Sequence, residues 1–308
     1  MAGPNTSSPS AAPQADPAPA VRLRHRLEAV LAGWALAALA KLNFPLASDA
    51  GAALARLLGP LGGAWRTARA NLDLALPELD AGTRQAIARQ AFANFGRVMA
   101  EYAQLPWLWR TRWDRFIDVT GREHLQSLGR KGAIVFSAHL GNWELIPMVL
   151  AALGKPAMIV YRAPNNPLVD ARIAAIRGQY AAGLAAKGAE GAREIVDHLK
   201  AGGVVYMLVD QKMNTGLEVP FFGRGAMTGK AVARLALRHA CALVPARCER
   251  LGDCKFRVSF EAPVWPAGSD RDEADVREVL TRINQRIEAW VRATPGQWLW
   301  MHQRWPKA

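Results

Sequence analysis

His139 and Glu144 stand five positions apart, with four residues between them, in Ala138-His139-Leu140-Gly141-Asn142-Trp143-Glu144. A neutral imidazole can take a proton from an attacking hydroxyl. A carboxylate on its other ring nitrogen fixes the tautomer and stabilises the imidazolium as it forms. On one continuous helix the two side chains would point roughly 140° apart and could not meet. They can meet if the chain leaves a strand at Ser137, turns through Gly141-Asn142 and only then starts a helix, for which Asn142 is a good N-cap. The neighbouring residues suit that path, with an apolar run from Ala133 to Ser137 and a longer apolar segment from Trp143 to Leu153. With six His and 26 acidic residues, chance supplies about half a match to this spacing, so the junction carries more weight than the pattern. The competing reading is a histidine satisfied by a loop carbonyl. No Ser or Cys stands in a G-x-S-x-G elbow, so the base would act on the acceptor directly rather than on an enzyme nucleophile.

Two further polar clusters follow apolar runs. Tyr161-Arg162-Ala163-Pro164-Asn165-Asn166-Pro167 puts Arg162 at the carboxyl end of one predicted strand. Asp210 and Gln211 follow another, Val204 to Val209. Ligands of open α/β sheets gather at those ends. A guanidinium there could hold a phosphate or orient an acidic group; a surface arginine before a turn is the plainer alternative. Asn142, Arg162, Asp210 and Gln211 are therefore candidate substrate-side residues, with His139 and Glu144 as the candidate catalytic pair. The stretch from Val219 to Lys230 ends in Thr228-Gly229-Lys230 but fails as a P-loop, with Arg224 in place of the first Gly and Ala231 in place of Ser or Thr. A Thr-capped helix start facing an anion and an ordinary helix start both fit it.

These groups need strands and helices to place them. Residues 1–20 are Pro/Ala/Ser-rich and read as a disordered tail. Residues 21–70 read as an N-terminal helical segment that associates with a membrane. Three arginines (Arg22, Arg24, Arg26) precede an uncharged run from Ala29 to Ala40, which a snorkelling Lys41 would extend to Leu46. The uncharged run alone is shorter than the ~18 residues of a spanning helix, so an interfacial or marginal anchor is expected. Ala52 to Ala75 is helical in pattern, and an amphipathic helix is predicted from about Ala81 to Ala103, with Ile87, Ala91, Phe95, Val98 and Tyr102 on one face. From Phe116 onward, strands at 116–119, 133–137, 156–161, 203–209, 243–248 and 254–260 alternate with helices at 123–128, 142–153, 167–183, 189–200, 229–241 and 272–294. That alternation predicts an α/β domain over 71–308, with a central mixed sheet flanked by helices.

Composition narrows the partners. Lys and Arg number 39 against 26 Asp and Glu, a net charge of +13, which favours an anionic partner. The basic residues are scattered, with no run of five and no nucleic-acid-binding module, so a broad basic face is expected rather than a nucleic-acid arm. Three cysteines (Cys241, Cys248, Cys254) without a C-x2-C pair fit neither a disulfide framework nor a zinc site.

Taken together, the motifs resemble the glycerolipid acyltransferases with an H-x4-[DE] motif, and in detail the bacterial lipid A late acyltransferases. HLGNWE, ANLDLALPEL, FANFGRVMAEY, VTGREHL, VYRAPNNP, LVDQK, VPFFGRGAMTGKAVARLA and PGQWLWMHQRWP all fall in that family's order, over roughly Asn71 to Pro306. The resemblance implies a bacterial inner-membrane enzyme facing the cytoplasm that moves a fatty acyl chain from acyl carrier protein to a hydroxyl of an anionic glycolipid, without cofactor or metal. His139 matches the family's base and Glu144 its partner, while Arg162 and Asp210 match positions taken to organise the acceptor and the site. Relatives that acylate phosphatidylinositol mannosides keep a second acceptor open, and a basic lipid-binding protein without turnover is the non-enzymatic alternative.

Overall fold

The computed structural model describes residues 22–111, 113–126, 128, 132–252 and 254–306; the tail expected over residues 1–20 lies outside them. Five helices come first: α1 (Leu23–Ala40), α2 (Phe44–Leu58), α3 (Gly63–Ala75), α4 (Ala81–Glu101) and α5 (Leu105–Arg110). The alternating part then runs β1 (Ile117–Thr120), α6 (Arg122–Gln126), β2 (Ala133–Ser137), α7 (Leu145–Ala152), β3 (Ala157–Tyr161), α8 (Pro167–Arg177), β4 (Gly183–Ala186), α9 (Ala189–Lys200) and β5 (Val204–Leu208). After it come β6 (Lys212–Phe221), β7 (Arg224–Thr228), α10 (Ala231–His239), β8 (Ala242–Gly252), β9 (Lys255–Phe260) and α11 (Glu273–Ala293).

Seven strands form one sheet in the order β1-β9-β8-β2-β5-β3-β4. The five from β8 to β4 are parallel, whereas β9 runs antiparallel to β8 and carries β1 parallel to itself. The fold is thus the α/β architecture with a mixed central sheet that the alternation predicts. β2 is buried at all five positions, as a central strand covered on both faces should be. Its side chains alternate between two cores. Ile134 and Phe136 join the core under α3, α4, α10 and α11, while Ala133 and Val135 join the one under α5 and α7.

Three local differences have physical causes. The helix expected over 167–183 stops at Arg177, and the chain re-enters the sheet as its edge strand β4. Lys212 to Thr228, for which the sequence suggested no strands, is a separate two-stranded hairpin. Its turn, Phe222-Gly223, has φ of 53° and 68°, the positive pair that a tight hairpin requires. The strain at Phe222 is held by packing against Trp300 and Trp305 and by Glu288, which accepts the Phe222 N–H at 2.6 Å. Finally, the apolar run to Leu46 is two helices. α1 ends at Ala40, and the Asn43 side chain caps α2 by accepting from Leu46 N at 2.9 Å. Among the described residues no helix is long and apolar enough to cross a membrane.

The first helices are nevertheless bound to the domain. Asn166 donates to the His25 carbonyl and to Glu28 Oε2, both at 2.9 Å, and Gln104 donates to the Leu39 and Leu42 carbonyls. α2 crosses α4 at Gly51 and Gly96, where a Cβ on either glycine would collide with the backbone carbonyl of the other. Such overpacking costs about 1–3 kcal/mol. Gly96→Ala is therefore expected to destabilise the protein by about that amount, read as a lower midpoint in urea; an unchanged midpoint would show that the crossing can open.

Candidate functional site

The register of the sheet builds the site. Ser137 of β2 is level with Leu208 of β5, and Val209 N donates to the Ser137 carbonyl at 3.0 Å. Two residues further along each strand stand His139 and Asp210. His139 Nδ1 lies 2.8 Å from Asp210 Oδ1, and the His139 backbone N–H donates to Oδ2 at 2.9 Å. Trp298 Nε1 adds a third donor to Oδ2 at 2.8 Å. Asp210 is buried. Burial by itself would raise its pKa, but the charge and hydrogen bonds of His139, with Trp298, outweigh it and bring the value down to about 2. An ionised Asp210 accepts only, so Nδ1 carries the proton and Nε2 is left as the base. Nε2 faces Gln211, whose exposed side-chain amide is 3.5 Å away, at the outer limit of a hydrogen bond. The ring edge of His139 also meets Trp143, with centroids 5.0 Å apart.

Glu144 is placed differently from the expected pairing. It is buried and held by Arg177 of α8, from Nε at 3.0 Å and from Nη2 at 2.6 Å. The carboxylate on His139 is Asp210. The reason is the path of the loop: Gly141 takes φ 59°, Asn142 and Trp143 turn, and α7 begins only at Leu145, which leaves Glu144 on the side of α8. Burial opposes the charge on Arg177, but the charge and hydrogen bonds of Glu144, together with Tyr102 and Tyr180, outweigh it and raise the pKa. Around this pair Tyr102, Tyr180 and Tyr206 are buried, and burial followed by the Glu144 charge pushes their hydroxyl pKa values upward. Asn142 is not the residue that starts α7 but sits two positions ahead of Glu144, whose N–H its Oδ1 accepts at 3.2 Å. Arg162 lies exposed at the carboxyl end of β3, with no hydrogen-bonding or ion-pair partner among the described residues.

Behind the loop lies a polar network that the sequence did not reveal. Glu101, at the end of α4, has no exposed surface. It accepts from Arg250 Nη1 at 2.6 Å and Nη2 at 2.9 Å, from Ser48 Oγ at 2.5 Å and from Asn142 Nδ2 at 2.8 Å. Asn94, two turns earlier, donates to the carbonyls of Gly141 and Gln297 and accepts from Arg250 Nε at 3.2 Å. The segment after α11 pairs with the loop directly: Gly141 N donates to the Gln297 carbonyl and Leu299 N to the His139 carbonyl, both at 3.1 Å. A Cβ at Gly141 would collide with the Cys248 carbonyl oxygen, so both its φ and its surroundings require glycine. Trp298, Glu101, Arg250, Asn94 and Arg177 thus complete the site. The signal available for them was polar residues on otherwise apolar helix faces, as at Asn94 and Glu101 of α4.

An oriented imidazole with an outward Nε2 at the edge of a parallel sheet suits proton abstraction from a substrate hydroxyl. Comparison with known proteins decides the family. The sequence pattern described as bacterial lipid A biosynthesis acyltransferase matches residues 19–307. The chain belongs to that family. It is 28% identical to the lipid A biosynthesis palmitoleoyltransferase of Escherichia coli over 243 residues, covering 77% of each chain. It is also 28% identical to the lipid A biosynthesis myristoyltransferase of the same organism over 258 residues, 81% of this chain and 78% of that one. A phosphatidylinositol mannoside acyltransferase of Mycobacterium tuberculosis is 26% identical over 287 residues, 90% of this chain and 87% of that one. Among solved structures, the 1-acyl-sn-glycerophosphate acyltransferase of Thermotoga maritima superposes with a TM-score of 0.37 at 14% identity, over 82% of this chain and all of that one, too low a score to bear on the site. As a member of the family the chain is an acyltransferase of the lipid A biosynthesis type.

Two predictions follow from this geometry. Arg250→Met leaves Glu101 charged and buried with only neutral donors, and breaking a buried pair in this way costs about 3–5 kcal/mol; chemical denaturation is the measure, and a loss below about 1 kcal/mol would contradict the role given to the pair. The second concerns acid. The folded pKa of Asp210 lies below its ordinary value of 3.8. Its stabilisation is therefore complete above pH ~4 and is lost as pH falls toward ~2, on the order of 2 kcal/mol. Asp210→Asn is expected to flatten the acid limb of the stability curve in that window, and an unaltered limb would contradict it.

Proposed function

We propose that the protein transfers a fatty acyl chain from an acyl carrier protein thioester to a hydroxyl of a lipid A precursor. The observation that carries this reading, beyond family membership, is the His139–Asp210 pair with Nε2 turned outward. In the reaction His139 Nε2 takes the proton of the acceptor hydroxyl as its oxygen attacks the thioester carbonyl. The tetrahedral intermediate collapses with cleavage of the C–S bond, and the imidazolium returns the proton to the leaving thiolate. Asp210 stabilises the imidazolium in between, the part the sequence reading gave to Glu144. Glu144, through Arg177, instead holds the start of α7 and so positions the loop. Gln211 supplies an amide donor at the reacting face, and Arg162, unpaired at the neighbouring strand end, is positioned to meet an anionic group of the acceptor.

The place of action we propose is the cytoplasmic face of the bacterial inner membrane. The support is physical. α1 exposes Leu23, Leu27, Val30, Leu31 and Trp34, and α2 with the following turn exposes Leu54, Leu57, Leu58 and Leu61. An apolar surface of this extent marks an interaction site, and the chain's net charge of +13 suits anionic lipid and an acidic carrier.

The test is incubation of the full chain with acyl carrier thioesters and a tetra-acylated lipid A precursor, with a phosphatidylinositol mannoside as the second acceptor. Transfer to the first acceptor is expected. Transfer to the mannoside alone would move the acceptor to the second class, and transfer to neither would sink the reading. His139→Ala is expected to lower the rate at least ~10²-fold, the low end for loss of a general base, and undiminished turnover would remove His139 from the mechanism.

A further inference from the structure

β5 ends at Leu208 and β6 begins at Lys212, so Val209, Asp210 and Gln211 alone connect them. That short connection carries two polar side chains that face the His139 ring, Asp210 at Nδ1 and Gln211 at Nε2. Its backbone is anchored at each end. On the β5 side Val209 N donates to the Ser137 carbonyl at 3.0 Å. On the β6 side Lys212 N donates to His302 Nε2, also at 3.0 Å. The first anchor is a strand carbonyl, which does not titrate; the second is an imidazole, which does.

His302 is itself held in place. The buried Asn71 of α3 donates to the Trp300 carbonyl at 2.8 Å and to the His302 carbonyl at 2.7 Å. Within the same stretch Trp298 Nε1 donates to Asp210 Oδ2 and Leu299 N to the His139 carbonyl. Trp298–His302 therefore touches the reactive strand ends at three points: the backbone of His139, the carboxylate of Asp210 and the N–H of Lys212. The first two hold the pair itself. His302 holds the chain just beyond Gln211.

Only an unprotonated ring nitrogen can accept an N–H, so His302 is neutral with its proton on Nδ1. A second proton would place an N–H on Nε2, facing that of Lys212, and the bond would become a contact between two donors. The ring is half-buried, and the charged or titratable groups that act on it are Asp210, His139, Arg304 and Lys212. Burial, joined by His139, Arg304 and Lys212, outweighs the Asp210 carboxylate and holds its pKa below the ordinary histidine value. The anchor is therefore complete above that lowered value and is lost as pH falls through it.

We propose that His302 is a positioning residue for acyl transfer: its neutral ring anchors the Lys212 end of the connection and so holds Asp210 and Gln211 against His139, and protonation of the ring releases them. The proposal rests on the reading above for the reaction that it serves. Misalignment of a proton-transfer group falls on the chemical step, so the rate changes and substrate binding does not.

Two variants of the full chain test it. His302→Leu removes the acceptor. His302→Gln keeps an acceptor at a similar reach but does not titrate. At neutral pH His302→Leu is expected to lower kcat about tenfold, the upper end for one neutral hydrogen bond, with KM unchanged, and His302→Gln to restore most of the loss. Wild type is expected to lose a further ~10-fold in rate, beyond protonation of the base, as pH falls through the His302 titration; His302→Gln lacks that extra loss. Equal acid limbs in wild type and His302→Gln, or a KM effect without a kcat effect in His302→Leu, would overturn the proposal. Alignment is also read without turnover, from the NMR signal of the His139 Nδ1 proton held on Asp210. It is expected in wild type and His302→Gln and broadened in His302→Leu. That pattern in a chain that transfers no acyl group would keep the positioning role and remove the proposed reaction; an unchanged signal in His302→Leu would remove the role. If His302→Leu does not fold, the acid limb of His302→Gln decides.

Discussion

One buried carboxylate holds the structure's two halves to each other. Glu101 takes donors from α2 through Ser48, from β8 through Arg250 and from the loop after β2 through Asn142. A charge with no exposure is tolerable only when it is paired and its lone pairs are filled, and here each filling donor comes from a different element. Removing any one would leave the rest with an incompletely satisfied buried ion. The cost of burying the carboxylate therefore falls on the same contacts that fix the helical layer, the sheet and the reactive loop in one arrangement. Beside it Asn94 does the same with neutral groups, joining the loop to the segment after α11.

The imidazole depends on that arrangement at one remove. Its ring is oriented by the Asp210 carboxylate, with Trp143 against its edge, but the backbone beneath it is held by the Gln297–Leu299 segment and by Asn94. The two carboxylates near the loop consequently divide their labour. Asp210 has its pKa drawn down and faces the His139 imidazole, while Glu144 is spent on Arg177. What distinguishes them is the partner each strand or helix delivers, since both are carboxylates almost wholly removed from water.

Much of this was legible in the chain. Runs such as Ala133–Ser137 and Val204–Leu208 are apolar over a strand's length, end in polar residues and alternate with helical patterns, so the mixed α/β sheet and the gathering of His139, Arg162 and Asp210 at one edge followed from sequence. The identity of the imidazole's partner did not. It is decided by inter-strand register, a long-range property that spacing along one segment does not contain: Glu144 is five residues from His139 and Asp210 is seventy-one, yet the sheet places the distant one alongside. The β6–β7 hairpin escaped for a local reason. Its turn puts Phe222 at positive φ, a conformation that aromatic residues rarely take and that only tertiary packing sustains. Edge strand β4 was hidden in a small-residue stretch that reads as a continuation of α8.

The pairing of Leu140 with Trp298 also sets an order of events. The reactive loop is made early in synthesis and its backbone partner only long afterwards, so a nascent chain carries His139 without the contact that aligns it. Contacts between such distant segments form slowly and late. The alignment of His139 is thereby deferred until the sheet, the long helix and the segment beyond it have all come together, and an unfinished or clipped chain would hold its imidazole without that alignment.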